Sequence, residues 1–335
     1  MTDHPDFDRF LLQGTIPEEE KQERYTGVFS FSSYKYSLFH FCRKAWYFHY
    51  ILAQGGWDRY AEDSSRQAYK EKYLLSFSAF LSGIVISSIK ESLPVIREEE
   101  KEEKRRDALL DAVRFHASKH IFYANNFLRE GGMENDPRKL SFSDLYYRTG
   151  RFENTEDLIE NSKDVLRGFF LDLPETEYFR SIAFLPSPAW HLAGKFPSFS
   201  LDGLPIYLAP CLYALSGGFF YRFPVYFHDH PQKEDGLLSA DGLFGLYAAN
   251  QYPGHRGKIH CVYYQEQEKL LTEKSFLPSP AEKENIFSAA KEMMELMQDP
   301  QPENFSYTEK KERCSFCRFR GICHKLQNGG TVRAF

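Results

Sequence analysis

The stretch Cys314-Ser315-Phe316-Cys317-Arg318-Phe319-Arg320-Gly321-Ile322-Cys323 carries three thiols at CxxC-x5-C spacing. Thiols this close together can grip one metal centre, but structural zinc and iron–sulfur clusters both take four ligands. The fourth candidate is Cys42, near the other end of the sequence. A centre held by Cys42, Cys314, Cys317 and Cys323 would be a clasp, fastening the C-terminal segment onto an N-terminal helix, and binding energy at the metal would become folding energy. The chain has six cysteines in 335 residues, and its start (MTDHPDFDRF) is acidic and polar, unlike a signal peptide. The expected setting is therefore a reducing cytoplasm, where clustered thiols favour metal over disulfide.

The length suits one large domain or two ordinary ones. Apolar residues make up 42% and aromatics 16%, with 31 Phe and 21 Tyr, so a globular, aromatic-rich core is expected. A net charge of -5 excludes a uniformly basic glove for nucleic acid but leaves room for a local basic stripe. Two uncharged stretches, 73–89 and 203–221, do not suit membrane spans. The first is short and serine-rich, and the second is broken by Pro205, Pro210 and the pair Gly217-Gly218.

Outward from the cysteines, residues 1–28 form a polar lead-in. Ser32 or Ser33 can cap a helix running through Leu38, Phe39, Cys42, Trp46 and Tyr50, whose three- and four-residue spacing puts Cys42 on the buried face. Helical patterns follow at 62–93, ended by Pro94, then through a mixed-charge solvated run 97–107 into 108–128, and again at 154–170. The turn-rich stretch Gly131–Asp136 is a break and the best candidate boundary between a helical lobe and the rest. From about 180 the texture changes to short apolar runs punctuated by Pro and Gly, which predict hairpin-linked strands at 199–215 and 219–227, a helix at 237–250, a strand at 259–264 and a last helix at 280–297. The expected class is α/β (α+β). The expected divisions are a lead-in 1–28, an N-terminal helical lobe 29–178, an α/β core 179–300 and the cysteine segment 301–335.

The segment Phe31-Ser-Ser-Tyr…Phe41-Cys42-Arg43-Lys44-Ala-Trp-Tyr47-Phe-His-Tyr50 resembles the opening motif of RecB-like nucleases of the PD-(D/E)XK superfamily. The nearest resemblance is to the iron–sulfur branch that includes AddB-type and CRISPR-adaptation exonucleases. In that branch an early Cys and a late CxxC-x5-C trio hold a 4Fe–4S cluster, so the resemblance implies the same role for Cys42, Cys314, Cys317 and Cys323. A four-thiolate zinc site would satisfy the same residues. The resemblance also implies a restriction-endonuclease-like core, a small mixed sheet flanked by helices.

The catalytic motifs of that family depart from its pattern here. Its chemistry needs carboxylates to hold Mg²⁺ or Mn²⁺ and a lysine beside the scissile phosphate. Aligned on those motifs, Ser87 stands where a metal-binding His is expected and Cys211 where a metal-binding Asp is expected. Pro224 stands at the second acid and Tyr226 at the lysine; the following helix has Leu243 in place of Gln and retains Tyr247. A thiol, a proline and a phenol cannot build an oxygen-ligand site for a hard cation. The implied function is a catalytically degenerate nuclease fold acting as a DNA-binding or scaffolding subunit in repair, recombination or defence, with DNA single strands or ends and a protein complex as partners. One alternative is an active metal-dependent exonuclease with relocated ligands, drawn from Asp202, His228, Asp229, His230 and Asp241. The other is an interaction scaffold that does not touch nucleic acid. Lys310, Lys311, Arg313, Arg318, Arg320 and Lys325, with Arg43 and Lys44 beside Cys42, are interleaved with Trp46, Tyr47, Phe316 and Phe319. They suit either a single-strand platform, for which Arg43, Lys44, Arg318 and Arg320 are the leading candidates, or a solubilising shell around a shielded cluster.

Overall fold

The computed structural model describes residues 29–96, 101–129, 141–192, 197–209, 211–228 and 240–327. The expected lead-in 1–28, the start of the charged run at 97–100, the break at Gly131–Asp136, Pro210, and Asp229 and His230 lie outside these residues.

The chain enters through strand β1 (Phe31–Ser32). Ser32 caps helix α1 (Ser33–Phe41), its hydroxyl accepting from Lys35 N at 3.0 Å. The single helix expected through Tyr50 is broken at Cys42, whose backbone is extended (φ -167°, ψ 116°); α2 (Arg43–Tyr47) and a π-helical turn (Phe48–Leu52) follow. The helix expected at 62–93 is likewise two. Helix α3 (Asp63–Lys72) and α4 (Phe77–Ser92) are separated by strand β2 (Leu74–Leu75), and Ser76 caps α4 by accepting from Ala79 N at 3.2 Å. A serine hydroxyl offers a helix a new start, and the continuous apolar pattern conceals it. The mixed-charge run and the amphipathic segment after it form one helix, α5 (Glu102–Arg129).

Strand β3 (Ser141–Phe142), parallel to β2, leads into α6 (Ser143–Tyr146) and α7 (Thr155–Asp172), which Asn154 caps. A further helix, α8 (Glu177–Phe184), was missed by the sequence reading and runs across the division expected at 178/179. Strands β4 (Trp190–Leu192), β5 (Ser198–Leu201), β6 (Leu204–Tyr207), β7 (Leu212–Ser216), β8 (Phe219–Phe223) and β9 (Val225–His228) follow, then helix α9 (Ala240–Gln251). Strands β10 (Arg256–Gln265) and β11 (Leu270–Phe276) precede helix α10 (Lys283–Gln298), and α11 (Arg320–Gln327) closes the chain. Positive φ at Asp202 (48°) and Gly203 (89°), and at Gly217 (55°) and Gly218 (77°), marks the two-residue turns of the β5–β6 and β7–β8 hairpins.

The main sheet has the order β11-β10-β8-β7-β4, with β9 also paired to β10. Strands β8 and β9 are one strand interrupted at Pro224, because both pair parallel to β10 in a single register, Arg222 with Ile259 and Val225 with Val262. Proline removes one ladder donor without shifting the register, and Val262 N still reaches Pro224 O at 3.4 Å. Helix α9 makes the crossover between these parallel strands, as a βαβ connection requires. A second sheet, β1-β6-β5, pairs the N-terminal strand parallel to β6.

The pleat sorts the sheet's residues into two cores. Leu212, Ala214, Phe223, Val225, Phe227, Val262 and Tyr264 face the helices α4, α5, α7 and α8. Cys211, Tyr213, Phe220, Ile259 and Cys261 face α1, α2, α9, α10 and the C-terminal segment, with Trp46, Phe305 and Phe319 in the same cluster. The molecule is thus α/β, with mixed sheets flanked by helices, and the helical lobe is one wall of the sheet's core. Among the described residues no helix is long and apolar enough to cross a membrane. Phe169 on α7 is fully buried against the rings of Phe227 and Tyr264, so Phe169→Ala is expected to lower stability by about 3–5 kcal/mol in urea unfolding. A loss below about 1 kcal/mol would contradict this account of helix-to-sheet packing.

Candidate functional site

The two ends of the chain meet at a seam built from α1, α2, α3 and residues 301–327. Helix ends present unpaired backbone groups carrying partial charge, and each side of the seam supplies the opposite charge. Arg313 Nη1 donates to His40 O (3.1 Å) and Phe41 O (3.3 Å) at the C-terminus of α1, and Arg318 Nη1 donates to Lys72 O (3.0 Å) at the C-terminus of α3. From the other side, Lys44 Nζ donates to Pro302 O (2.7 Å) and Lys44 N to Ser306 O (3.0 Å). Arg320 lies over the Tyr147 ring at 4.1 Å, and Arg43 pairs with Glu292. Of the four cations expected to face nucleic acid, Lys44 is buried, and Arg318 and Arg320 are bonded into the seam. Their donors serve chain closure. The exposed cations of the segment are Lys310 and Lys311.

Glu71, on the last turn of α3, is the seam's buried acid. Its carboxylate accepts from Ile322 N (3.1 and 3.2 Å), so it caps α11 from another part of the chain. Tyr147 donates to Arg318 O beside it. A Cβ at Gly321 would collide with the Glu71 carboxylate, which explains a glycine in the first turn of α11. Burial pushes the Glu71 carboxyl up to about 7, against the hydrogen bonds from Gln67 and Ile322 N and the nearby Arg320 that favour its ionised form. The sequence reading missed Glu71 and Tyr147, and no local pattern announces either.

The break at Cys42 places its thiol in this seam. Cys42, Cys317 and Cys323 are half-buried against the cluster holding Trp46, Phe305 and Phe319, while Cys314 is exposed. Burial pushes the Cys317 thiol up to about 12 and the Cys323 thiol up to about 11, and the charge of Cys42 adds to both. The sulfurs are near enough to oppose one another's ionisation, a condition that a cation among them would relieve. Among the described residues, no three His, Cys, Asp or Glu side chains are arranged as a group that could hold a metal ion. The fold thus brings a soft donor set into one neighbourhood without the geometry of a centre.

The second locus lies on the sheet. The antiparallel register pairs Leu212 with Phe223 and Tyr213 with Arg222, which puts Cys211 opposite Pro224 one step further along. Cys211 is 1% exposed, and burial pushes its thiol up. On the same face Arg222, 6% exposed, donates through Nη1 to Asp241 Oδ1 at 2.6 Å, and its guanidinium is near enough to the Tyr213 and Tyr226 hydroxyls to favour their ionised forms. Ser87 is buried on α4; one turn later Lys90 comes close enough for its charge and that of Cys211 to affect each other. Leu243 is fully buried, and Tyr247 packs on the rings of Phe199 and Phe220. The relocated ligand set does not assemble among the described residues. Asp202 sits in the β5–β6 turn with Lys283 Nζ at 3.8 Å, Asp241 is held by Arg222, and His228 ends β9. Arg222 and Lys90 were missed by the sequence reading. The signal for Arg222 was present, a single charge inside the aromatic strand Phe219-Phe-Tyr-Arg222-Phe223.

No family model matches the chain, and no curated protein matches it. Among solved structures, that of SSO0001 is similar at 12% identity, over 47% of this chain and 80% of that one, with a TM-score of 0.25, a likeness that bears on neither fold nor function.

The Glu71 carboxyl binds its proton more tightly in the folded chain than at its ordinary value of 4.5. An unfolded chain therefore releases that proton first as pH rises, and stability falls by about 3 kcal/mol between about pH 4.5 and 7 before levelling off. Glu71→Gln keeps an acceptor for Ile322 N without the titration. Its urea midpoint is expected to lose that downward slope and to exceed the parent's at pH 8. Parallel pH profiles for the two proteins would remove Glu71 as the cause.

Proposed function

We propose that this chain is a RecB-like nuclease fold that has lost metal-dependent cleavage and serves as a cytoplasmic DNA-binding or scaffolding subunit of a larger complex. The observation that carries the reading is the β7–β8 register, which, continued one step beyond Leu212 and Phe223, sets Cys211 across from Pro224. The motif resemblance, made without reference to pairing, assigns these two positions to the metal-binding acids. An antiparallel hairpin holds them side by side, as two ligands of one ion must be. The oxygen donors such an ion needs are replaced by a thiol and a proline. The order hairpin, crossover helix, parallel strand also suits the restriction-endonuclease-like core that the resemblance implies. Held by Arg222, Asp241 is a poor metal ligand, which weighs against the relocated-site alternative.

Cys42, Cys314, Cys317 and Cys323 would hold a 4Fe–4S cluster, or a zinc ion, whose bonds would fasten the seam covalently. Closure already rests on Lys44, Arg313, Arg318 and Glu71, so the metal adds to a docked segment. Anaerobically purified protein is expected to be brown and to contain about four iron atoms per chain. Cys42→Ser and Cys323→Ser should each lose the colour and unfold at lower urea. A colourless parent holding stoichiometric zinc would select the zinc reading, and full stability in both variants would remove the clasp.

End-labelled single- and double-stranded DNA, incubated with Mn²⁺ or with EDTA, separates the functional alternatives. Intact, shifted DNA in both conditions is expected, with affinity falling as salt rises. The double variant Lys310→Glu, Lys311→Glu should weaken that shift by about tenfold or more, whereas charge reversal at Arg318 would open the seam and confound the result. Shortened DNA only with Mn²⁺ would point to an active nuclease, and unshifted DNA in every lane would leave a protein scaffold.

A further inference from the structure

The four elements around Arg222 make a site that the degenerate motifs alone do not explain. Losing metal ligands from a buried site leaves polar atoms to satisfy, and an unpaired buried charge is costly. Here the charge is on the protein. Arg222 belongs to β8, Tyr213 stands across from it on β7, Tyr226 lies on the same face of β9, and Asp241 is in the first turn of α9. Asp241 Oδ1 accepts from Nη1 at 2.6 Å, and the Tyr213 and Tyr226 hydroxyls are near enough to the guanidinium to interact with its charge. The Tyr213 hydroxyl passes its own proton to Ala209 O at 2.8 Å. Arg222 is thus bonded to an acid on α9 and lies beside hydroxyls from β7 and β9, a polar neighbourhood of the kind that surrounds a hard metal ion. Cys211, the partner of Pro224, completes the wall, with Lys90 approaching from α4.

We propose that Arg222 is a resident cation that occupies the place of a metal ion in this fold and ties the crossover helix α9 to the sheet, so that the core needs no divalent ion. The proposal rests on the nuclease-fold reading for the identity of the metal's place. Two consequences follow from charge alone. A divalent ion cannot enter beside a buried guanidinium, so restoring the acids is insufficient. Removing the guanidinium leaves Asp241 and two hydroxyls facing a hole of the guanidinium's shape.

Thermal unfolding tests both. The pair Cys211→Asp, Pro224→Glu is compared with the same pair carrying Arg222→Met, each with Mn²⁺ or EDTA. Only the protein with Arg222→Met is expected to gain a Mn²⁺-dependent rise in Tm of about 2–4 °C or more. An equal rise with Arg222 retained overturns the resident cation while upholding the fold reading. In parallel, Arg222→Ala alone is titrated with methylguanidinium. A rise in its Tm that the parent lacks supports the resident cation even if the acid-restored proteins do not fold, and no rise overturns it. Methylguanidinium rescue without any Mn²⁺ response in a folded Arg222→Met protein overturns the metal's place, and with it the nuclease-fold reading, leaving Arg222 as a structural ion pair.

Discussion

Backbone carbonyls gripped by cations from distant parts of the chain, most of them at helix ends, are what the rest of this molecule depends on. Arg313 reaches the end of α1 and Arg318 the end of α3, while Lys44 reaches forward to Pro302. Charged donors on helix-terminal carbonyls make strong hydrogen bonds because both partners are already polarised. Glu71 completes the set with the opposite sign at the opposite kind of helix end. The closure brings Trp46, Phe305 and Phe319 into one hydrophobic cluster, and the cysteines arrive with it.

This seam changes what the basic residues near the cysteines mean. Read along the chain, Arg43, Lys44, Arg318 and Arg320 suggest a surface for phosphates. In three dimensions Lys44 and Arg318 face carbonyls of their own chain, and Arg320 stacks on Tyr147. A cation desolvated on an internal acceptor has little left to offer an external anion. The exposed cations of residues 301–327 are instead Lys310 and Lys311.

The sheet carries the same logic at its centre. Arg222 is buried and bonded to Asp241 at the start of α9, so it fixes the crossover helix against the strand it follows. The continuous register through Pro224 shows how a residue hostile to a ladder is accommodated, since the strand loses a donor and keeps its alternation. The two proposals are therefore linked through one small area, where a thiol, a proline and a guanidinium stand together.

Much of the architecture was legible locally. Short apolar runs punctuated by Pro and Gly, with the Gly217-Gly218 turn, marked the hairpins, and Ser32 marked a helix start, because these signals act over a few residues. The sequence by itself determined the mixed helix-and-sheet class, the strand texture after about 180 and the pattern of four cysteines. Tertiary structure alone decided that α1 breaks at Cys42, that α3 and α4 are separate, and that α8 runs across the expected division at 178/179. It also decided what each charge does. Glu71, Lys44 and Arg222 each have partners far from them in sequence or on another element, and a charge's role is set by what lies within a few ångströms in space, which no spacing along the chain records.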